Sequence, residues 1–342
     1  MSISRRRFVG TLASTLASLP LVGLTRHAAA AEPLKISHQF PGGTLEAGDF
    51  RDRLCRKFAA EVEARTKGAL KFQIYPGSSL MKTVAQFSAL RHGALDMTLY
   101  PIPYAGGEVP ELNIGLMPGI VTSYEQGARW RNAEVGKALT DLLADKGIVI
   151  VSWIWQAGGV ASRSAPLVNP EDAKGMKVRG GSREMDLMLK AAGAAVLSLP
   201  SNEIYAAMQT GAADAAMTSS TSLISFRLEE VSKYLTTGRN KAYWFMLEPL
   251  LMSKEIFDKL PRDQQQIILQ VGVEMEKFGT EQAKIDDKLV ADIYAKAGAK
   301  VVDLDQATVA KWQALAREAA WKDYAAKSPG CARILQLAEK TL

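Results

Sequence analysis

The chain has 342 residues, 47% of them hydrophobic and 23% charged, which is enough for two packed domains and excludes a disordered or collagen-like chain. Its net charge of +6 is concentrated at the N-terminus, where the first 31 residues hold four arginines and no acid, so 38 of the 42 basic residues face 36 acidic ones in the remainder. That near-neutral remainder, without basic runs or interleaved aromatics, gives no case for nucleic-acid binding.

The first element is an apolar run from Phe8 to Leu24, preceded by Ser4-Arg5-Arg6-Arg7-Phe8-Val9 and followed by the small residues Ala28 to Ala31. A basic segment, an apolar segment and an Ala-x-Ala site together read as a removable export signal over 1–31, cleaved near Ala30/Ala31 and addressed to the periplasm. The Arg-Arg-Arg-Phe-Val string is similar to a twin-arginine (Tat) signal, with Sec export as the alternative. An uncleaved anchor fits less well, because Gly10, Ser14, Ser18, Pro20 and Gly23 interrupt the run and Arg26 closes it early.

Beyond the signal, short β-type runs alternate with amphipathic helices, the pattern of an α/β protein. A strand is expected over 34–40, a helix over 48–66 ended by Gly68, a strand over 70–75, a helix through Val84, Phe87 and Leu90, and a strand over 96–100. A Pro/Gly-rich connection (101–119) leads to one helix over 124–146 and a buried strand over 148–155. A second unit follows: strand 176–179, helix 183–192, strand 195–198, helix 201–210 and strand 213–218, with a further extended run over 243–253. A helix over 262–297 carries a predicted apolar stripe of Ile267, Val271, Met275, Phe278, Ile285, Leu289 and Ile293, long enough to brace two lobes. A strand at 300–304 and a helix over 306–326 close the pattern.

Extended crossovers near 149–154 and 243–253 would join two α/β lobes across a cleft. The expected architecture is a two-lobe, Venus-flytrap (type II) periplasmic binding protein with a long bracing helix. Lobe I takes 32–152 with 243–261, lobe II takes 153–242 with 298–326, the helix 262–297 spans both, and 327–342 is a C-terminal segment.

No Gly-x-Ser-x-Gly, His-Glu-x-x-His, P-loop or Rossmann fingerprint occurs, so no catalytic residue, cofactor or metal site is assigned. After the signal only His38 and His92 remain, without partners at metal-ligand spacing. Carboxylate pairs have no fixed sequence spacing, so a periplasmic carboxylate-dependent enzyme stays open as a rival class. Cys55 and Cys331 are either a disulfide or buried thiols, and the sequence does not decide between them.

Asn169-Pro170-Glu171-Asp172-Ala173-Lys174-Gly175-Met176-Lys177-Val178-Arg179 is similar to the "P-x-D-L-K-G-L-K-x-R" signature of the DctP family of TRAP (tripartite ATP-independent periplasmic) transporter binding proteins. Ala192-Gly193-Ala194, the segment Glu203 to Gly211 and Asp214 follow at the family's spacing. Upstream, Glu63 to Gly68, Ile74-Tyr75-Pro76 and Ala89 to Met97 resemble the family's first-lobe pattern; downstream, Met252-Ser253-Lys254 and Phe257 to Pro261 do the same. The resemblance covers essentially everything after the signal.

It implies that Arg179 binds the carboxylate of a small organic acid, which suits a planar, permanently charged donor fork. It also implies DctQ-type and DctM-type membrane subunits as partners and uptake driven by an ion gradient. A binding protein for another transporter or a sensor would share the fold. Members that bind sialic acid or dicarboxylates often carry a second arginine about twenty residues earlier; here that place is Gly159, and Arg163 is out of register. Thr218 stands where the pocket asparagine usually sits, and Ser201 where an aromatic is common. With one matching arginine, a monocarboxylate is favoured over a dicarboxylate. Strand ends and crossovers add candidate ligand contacts at His38, Phe40, Tyr100, Trp155 and Trp244, with Trp153 and Phe245 as further aromatics. Glu203 and Asp214 are expected to be structural.

Overall fold

A computed structural model describes residues 32–239 and 241–342. The expected export signal lies outside the described residues. Among the described residues thirteen strands occur in chain order: β1 (Leu34–Ser37), β2 (Phe72–Tyr75), β3 (Met97–Leu99), β4 (Ile148–Ser152), β5 (Trp155–Gln156), β6 (Gly158–Ser162), β7 (Lys177–Arg179), β8 (Ala195–Leu197), β9 (Ala215–Ser219), β10 (Tyr234–Thr237), β11 (Met246–Leu247), β12 (Leu250–Ser253) and β13 (Lys300–Asp303).

They form two larger sheets. The first has the order β2-β1-β3-β12-β4 and the second β13-β10-β6-β9-β7-β8. Strands joined through helices pair parallel, as β1 with β2 and β7 with β8, whereas the crossover strand β12 runs antiparallel to β3 and β4. Between the sheets the chain passes three times: two passages pair with each other as the antiparallel ribbon β5–β11, and the third, from β12 to β13, runs through the long helix Arg262–Lys296. Two α/β lobes joined by a narrow ribbon and a helix result.

The 35-residue helix Arg262–Lys296 packs against the helix Phe50–Arg65 and β4 of the first lobe, and against the helix Ser220–Ser225, β10 and β13 of the second. Five residues of the expected stripe, Ile267, Val271, Met275, Phe278 and Ile293, pack inward, and two depart from it. Ile285 and Leu289 are 52% and 43% exposed, while Ile268, Val271, Gly272, Gly279, Ala283, Asp287, Val290, Ala291 and Tyr294 face inward. Small residues decide the face because the helix lies against crossover backbone: a Cβ at Gly272 would meet the Val151 carbonyl, and one at Gly279 would sit 2.8 Å from Ile154 Cδ1.

Other expectations need correction. The single helix expected over 124–146 is two, Tyr124–Trp130 and Glu134–Asp145; the chain turns at Arg131, whose guanidinium pairs with Glu276 of the long helix. The strands β6 and β10, central to the second sheet, were not anticipated, since Gly158-Gly159 and a short Tyr-Leu-Thr-Thr run carry a weak apolar signal. The C-terminal segment holds a helix, Pro329–Glu339, packed on Glu134–Asp145. Cys55 and Cys331 are both free and buried, and burial pushes both thiols up. No helix among the described residues is long and apolar enough to cross a membrane.

Candidate functional site

Arg179 ends β7, and its guanidinium is held in a frame. Nε donates to the Leu199 carbonyl (3.0 Å), Nη1 to the Met217 carbonyl in the middle of β9 (2.8 Å) and Nη2 to Tyr104 Oη (2.8 Å). Tyr104 belongs to the first lobe, in the turn Ile102–Ala105, and also accepts the Ser201 backbone N–H (3.0 Å). One hydroxyl therefore links Arg179 and Ser201 across the cleft.

The side chain of Arg179 is 3% exposed, yet among the described residues no carboxylate lies within 4.0 Å of it. A guanidinium offers five N–H donors. Three are committed, and one on each terminal nitrogen is left. Buried cations are ordinarily paired, and the two remaining donors of this fork could take an anion two-pointed.

The chain makes room for the fork with glycine. Gly181 has φ of +102°, which an L side chain rarely adopts, and a Cβ there would stand 2.7 Å from Arg179 Nη1. Behind it, Asp186 accepts from Ser198 Oγ (2.5 Å); burial holds its carboxyl above the usual range although Ser198 and Arg179 pull it down. An opening of about 200 Å³ between the lobes, lined by Val84, Pro103, Tyr104, Ser182, Arg183 and Leu199, leads to this frame.

A second buried cation was missed in the sequence. Arg51, in the first turn of the helix Phe50–Arg65, is fully buried and makes a two-point pair with Asp49 (Nε–Oδ1 2.9 Å, Nη2–Oδ2 2.7 Å). Its Nη1 reaches Glu248 Oε2 (3.3 Å) and Ser222 Oγ (3.0 Å), and lies 3.4 Å from Ser219 Oγ. The guanidinium stacks on Phe40, 3.6 Å above the ring. Gln156 Nε2 donates to the same Glu248 Oε2. Burial pushes Glu248 up to about 7 despite the opposing pull of Arg51. The signal was readable: an arginine in a helix's first turn opposes the helix dipole, and Gln156 and Glu248 are lone polar residues in apolar crossovers.

The sequence candidates divide accordingly. Tyr100 stacks on Phe87 and meets the Tyr104 ring edge-on, with its hydroxyl unpartnered among the described residues. Thr218 is buried on β9 opposite Gly159, one residue beyond the carbonyl that holds Arg179. Ser201 contributes its backbone N–H. Trp244 lies against Gly158, where a Cβ would strike its ring. His38 stacks on Phe40 and bonds Asp52 Oδ1 through Nε2 (3.2 Å), while Phe40 forms the platform under Arg51. Trp155 packs edge-on against Trp130 at 5.1 Å, next to Gly127. Trp153 donates its backbone N–H to Glu276, and Phe245 packs on Tyr124.

A second arginine has no place at position 159, because a Cβ there would meet the Thr236 carbonyl. Arg163 lies beside Gly211 instead, bonding the Asp214 carbonyl through its backbone N–H. Asp214 accepts from Lys177 N (2.8 Å), locking β7 to its neighbour, and Glu203 is exposed. No group of three or more metal-ligating side chains occurs among the described residues.

Residues 44–328 match the model of the DctP family, bacterial extracellular solute-binding protein family 7. The chain belongs to the DctP family. It is 72% identical over 309 residues to a solute-binding protein of Albidiferax ferrireducens, covering 90% of this chain and 91% of that one. A TRAP periplasmic solute-binding protein from Rhodoferax ferrireducens, solved with bound malonate, superposes with a TM-score of 0.89 at 72% identity, covering 90% of this chain and 98% of that one. The 2,3-diketo-L-gulonate-binding periplasmic protein YiaO of Escherichia coli is 28% identical, over 73% of this chain and 76% of its own length. This DctP protein is thus a periplasmic, non-catalytic component of TRAP transport, and the enzyme reading is set aside.

Proposed function

We propose that this DctP protein captures a small organic acid in the cleft between its lobes, with the acid's carboxylate taken two-pointed by Arg179. The observation that carries the reading is the buried Arg179 fork, held by two carbonyls and Tyr104 but by no carboxylate. Ligand contacts Ser201, Thr218, Tyr100 and Trp244 line the same region in this reading, with His38, Phe40 and Trp155 supporting it from behind. The relative solved with malonate supports an acid of this size and gives no support to the preference for one carboxylate over two. Either count is compatible with a single fork holding one end.

In this reading, lobe I comprises 32–152 with 243–261 and lobe II 153–242 with 298–326, hinging about the β5–β11 ribbon. Tyr104 bridges to Arg179 and Ser201 only when the lobes are together, so the acid binds the closed form preferentially and shifts the population toward it. The closed form then docks on DctQ-type and DctM-type membrane subunits, after export of the chain by the Tat route, or by Sec, and cleavage near Ala30/Ala31.

A thermal-shift screen of the mature protein against short mono- and dicarboxylic acids tests the proposal. An acid at about 100 times its dissociation constant stabilises by about 2.7 kcal/mol, a clear rise in melting temperature. A panel in which no acid raises it overturns the reading.

A further inference from the structure

The crossover ribbon carries two buried oxygens with no donor among the described residues: Gln156 Oε1 on β5 and Glu248 Oε1 directly after β11, in residues no more than 1% exposed. Their orientations are fixed by the rest of the network. With Glu248 ionised, Arg51 Nη1 and the Gln156 amide nitrogen both donate to its Oε2, which leaves Oε1 without a partner; reversing the Gln156 amide would then set two oxygens face to face. A buried acceptor without a donor keeps its full desolvation cost, so a folded interior is not expected to leave both unmet.

These oxygens connect to the carboxylate fork through Arg51 and β9. Met217 and Ser219, two residues apart on β9, give the carbonyl that holds Arg179 and a hydroxyl beside Arg51. The Glu248 carboxyl is drawn down by the charge of Arg179 as well as by Arg51. A metal ion is a poor partner for the pair, because Arg51 already faces Asp49 and Glu248, and a further cation would be crowded between two guanidiniums. A neutral N–H or O–H meets the need without added charge.

We propose that the captured acid carries a hydrogen-bond donor, a hydroxyl or an amide N–H, beside its carboxylate, received by Glu248 Oε1 and Gln156 Oε1 while Arg179 holds the carboxylate. The proposal rests on the carboxylate reading above and narrows its substrate class from short acids to donor-bearing ones. Apolar and purely dicarboxylic acids of the same shape leave both oxygens unmet and bind less tightly.

Isothermal titration at pH 8, where Glu248 is ionised, against three matched pairs tests it: hydroxymalonate and malonate, lactate and propionate, pyroglutamate and cyclopentanecarboxylate. The expected result is binding at least tenfold tighter for the donor-bearing member of each pair that binds, with the preference falling below about threefold in Gln156→Met. Equal or tighter binding of the plain acids, or a preference that survives Gln156→Met and Glu248→Gln alike, overturns the inference and leaves the carboxylate reading standing. Binding that requires added sodium or calcium assigns the oxygens to a cation and also overturns it. If none of the six acids binds, both readings fall together.

Discussion

Truncating Arg179 to alanine removes the fork and the frame at once, and the structure sets the size of the effect. The guanidinium is almost wholly buried and holds Leu199 O, Met217 O and Tyr104 Oη, so a carboxylate taken there as proposed would face it in a region of low dielectric. Removing one partner from such a buried charge pair costs roughly 2–5 kcal/mol, and each 1.4 kcal/mol is about tenfold in dissociation constant. Affinity for the acid should fall by about 30-fold at the least and by more than 1,000-fold at the upper end. Arg179→Lys keeps the charge but cannot meet two carbonyls, a phenol and two carboxylate oxygens from one nitrogen, and is expected to lose at least about tenfold. Titration calorimetry on both variants, with circular dichroism to confirm folding, measures the effect. A dissociation constant within threefold of the parent in a folded Arg179→Ala protein refutes the reasoning.

Gly181→Ala forces a side chain into positive φ and against Arg179 Nη1, so it should cost about 1–3 kcal/mol in urea unfolding and weaken acid binding; an unchanged midpoint and affinity contradict the assigned crowding. Arg51→Met strands Asp49 and Glu248 without their cation and should destabilise the chain by roughly 3–5 kcal/mol, read as a large loss in urea midpoint. Burial raises Glu184, Glu248 and Glu276 to about 7 and Asp286 to about 6, so the folded chain holds protons that the unfolded chain, with carboxyls near 4.5 and 3.8, has released. Stability from these groups is present at low pH and is lost as pH rises from about 5 through 7; melting temperature at pH 5.5 should exceed that at pH 8, and Glu276→Gln should shrink the difference. A melting temperature that rises between those pH values contradicts the assignment.

The pattern of apolar runs and turn residues made the α/β architecture, the crossover positions and the long helix legible, because each is a local property of consecutive residues. Arg179 was legible as well, since its motif is contiguous. The inner face of Arg262–Lys296 was legible only in part: Ile285 and Leu289 turn outward, because close approach selects Gly272, Gly279 and Ala283 over the Ile and Leu that periodicity favours. The strands β6 and β10 escaped notice because they draw their burial from neighbours rather than from their own hydrophobicity. Tyr104, Arg51, Gln156 and Glu248 meet only through tertiary structure: Arg51 and Glu248 are 197 positions apart, and Arg179 and Tyr104 are 75 apart. Composition and spacing carry no distance information at such separations, although a lone charge in an apolar crossover is a usable hint.

A crystal structure of the mature protein with its physiological acid measures the central claim most directly. The account predicts a carboxylate about 2.7–2.9 Å from both terminal nitrogens of Arg179, with the Leu199, Met217 and Tyr104 contacts retained. An acid bound elsewhere, with the Arg179 fork touching no carboxylate, would contradict it.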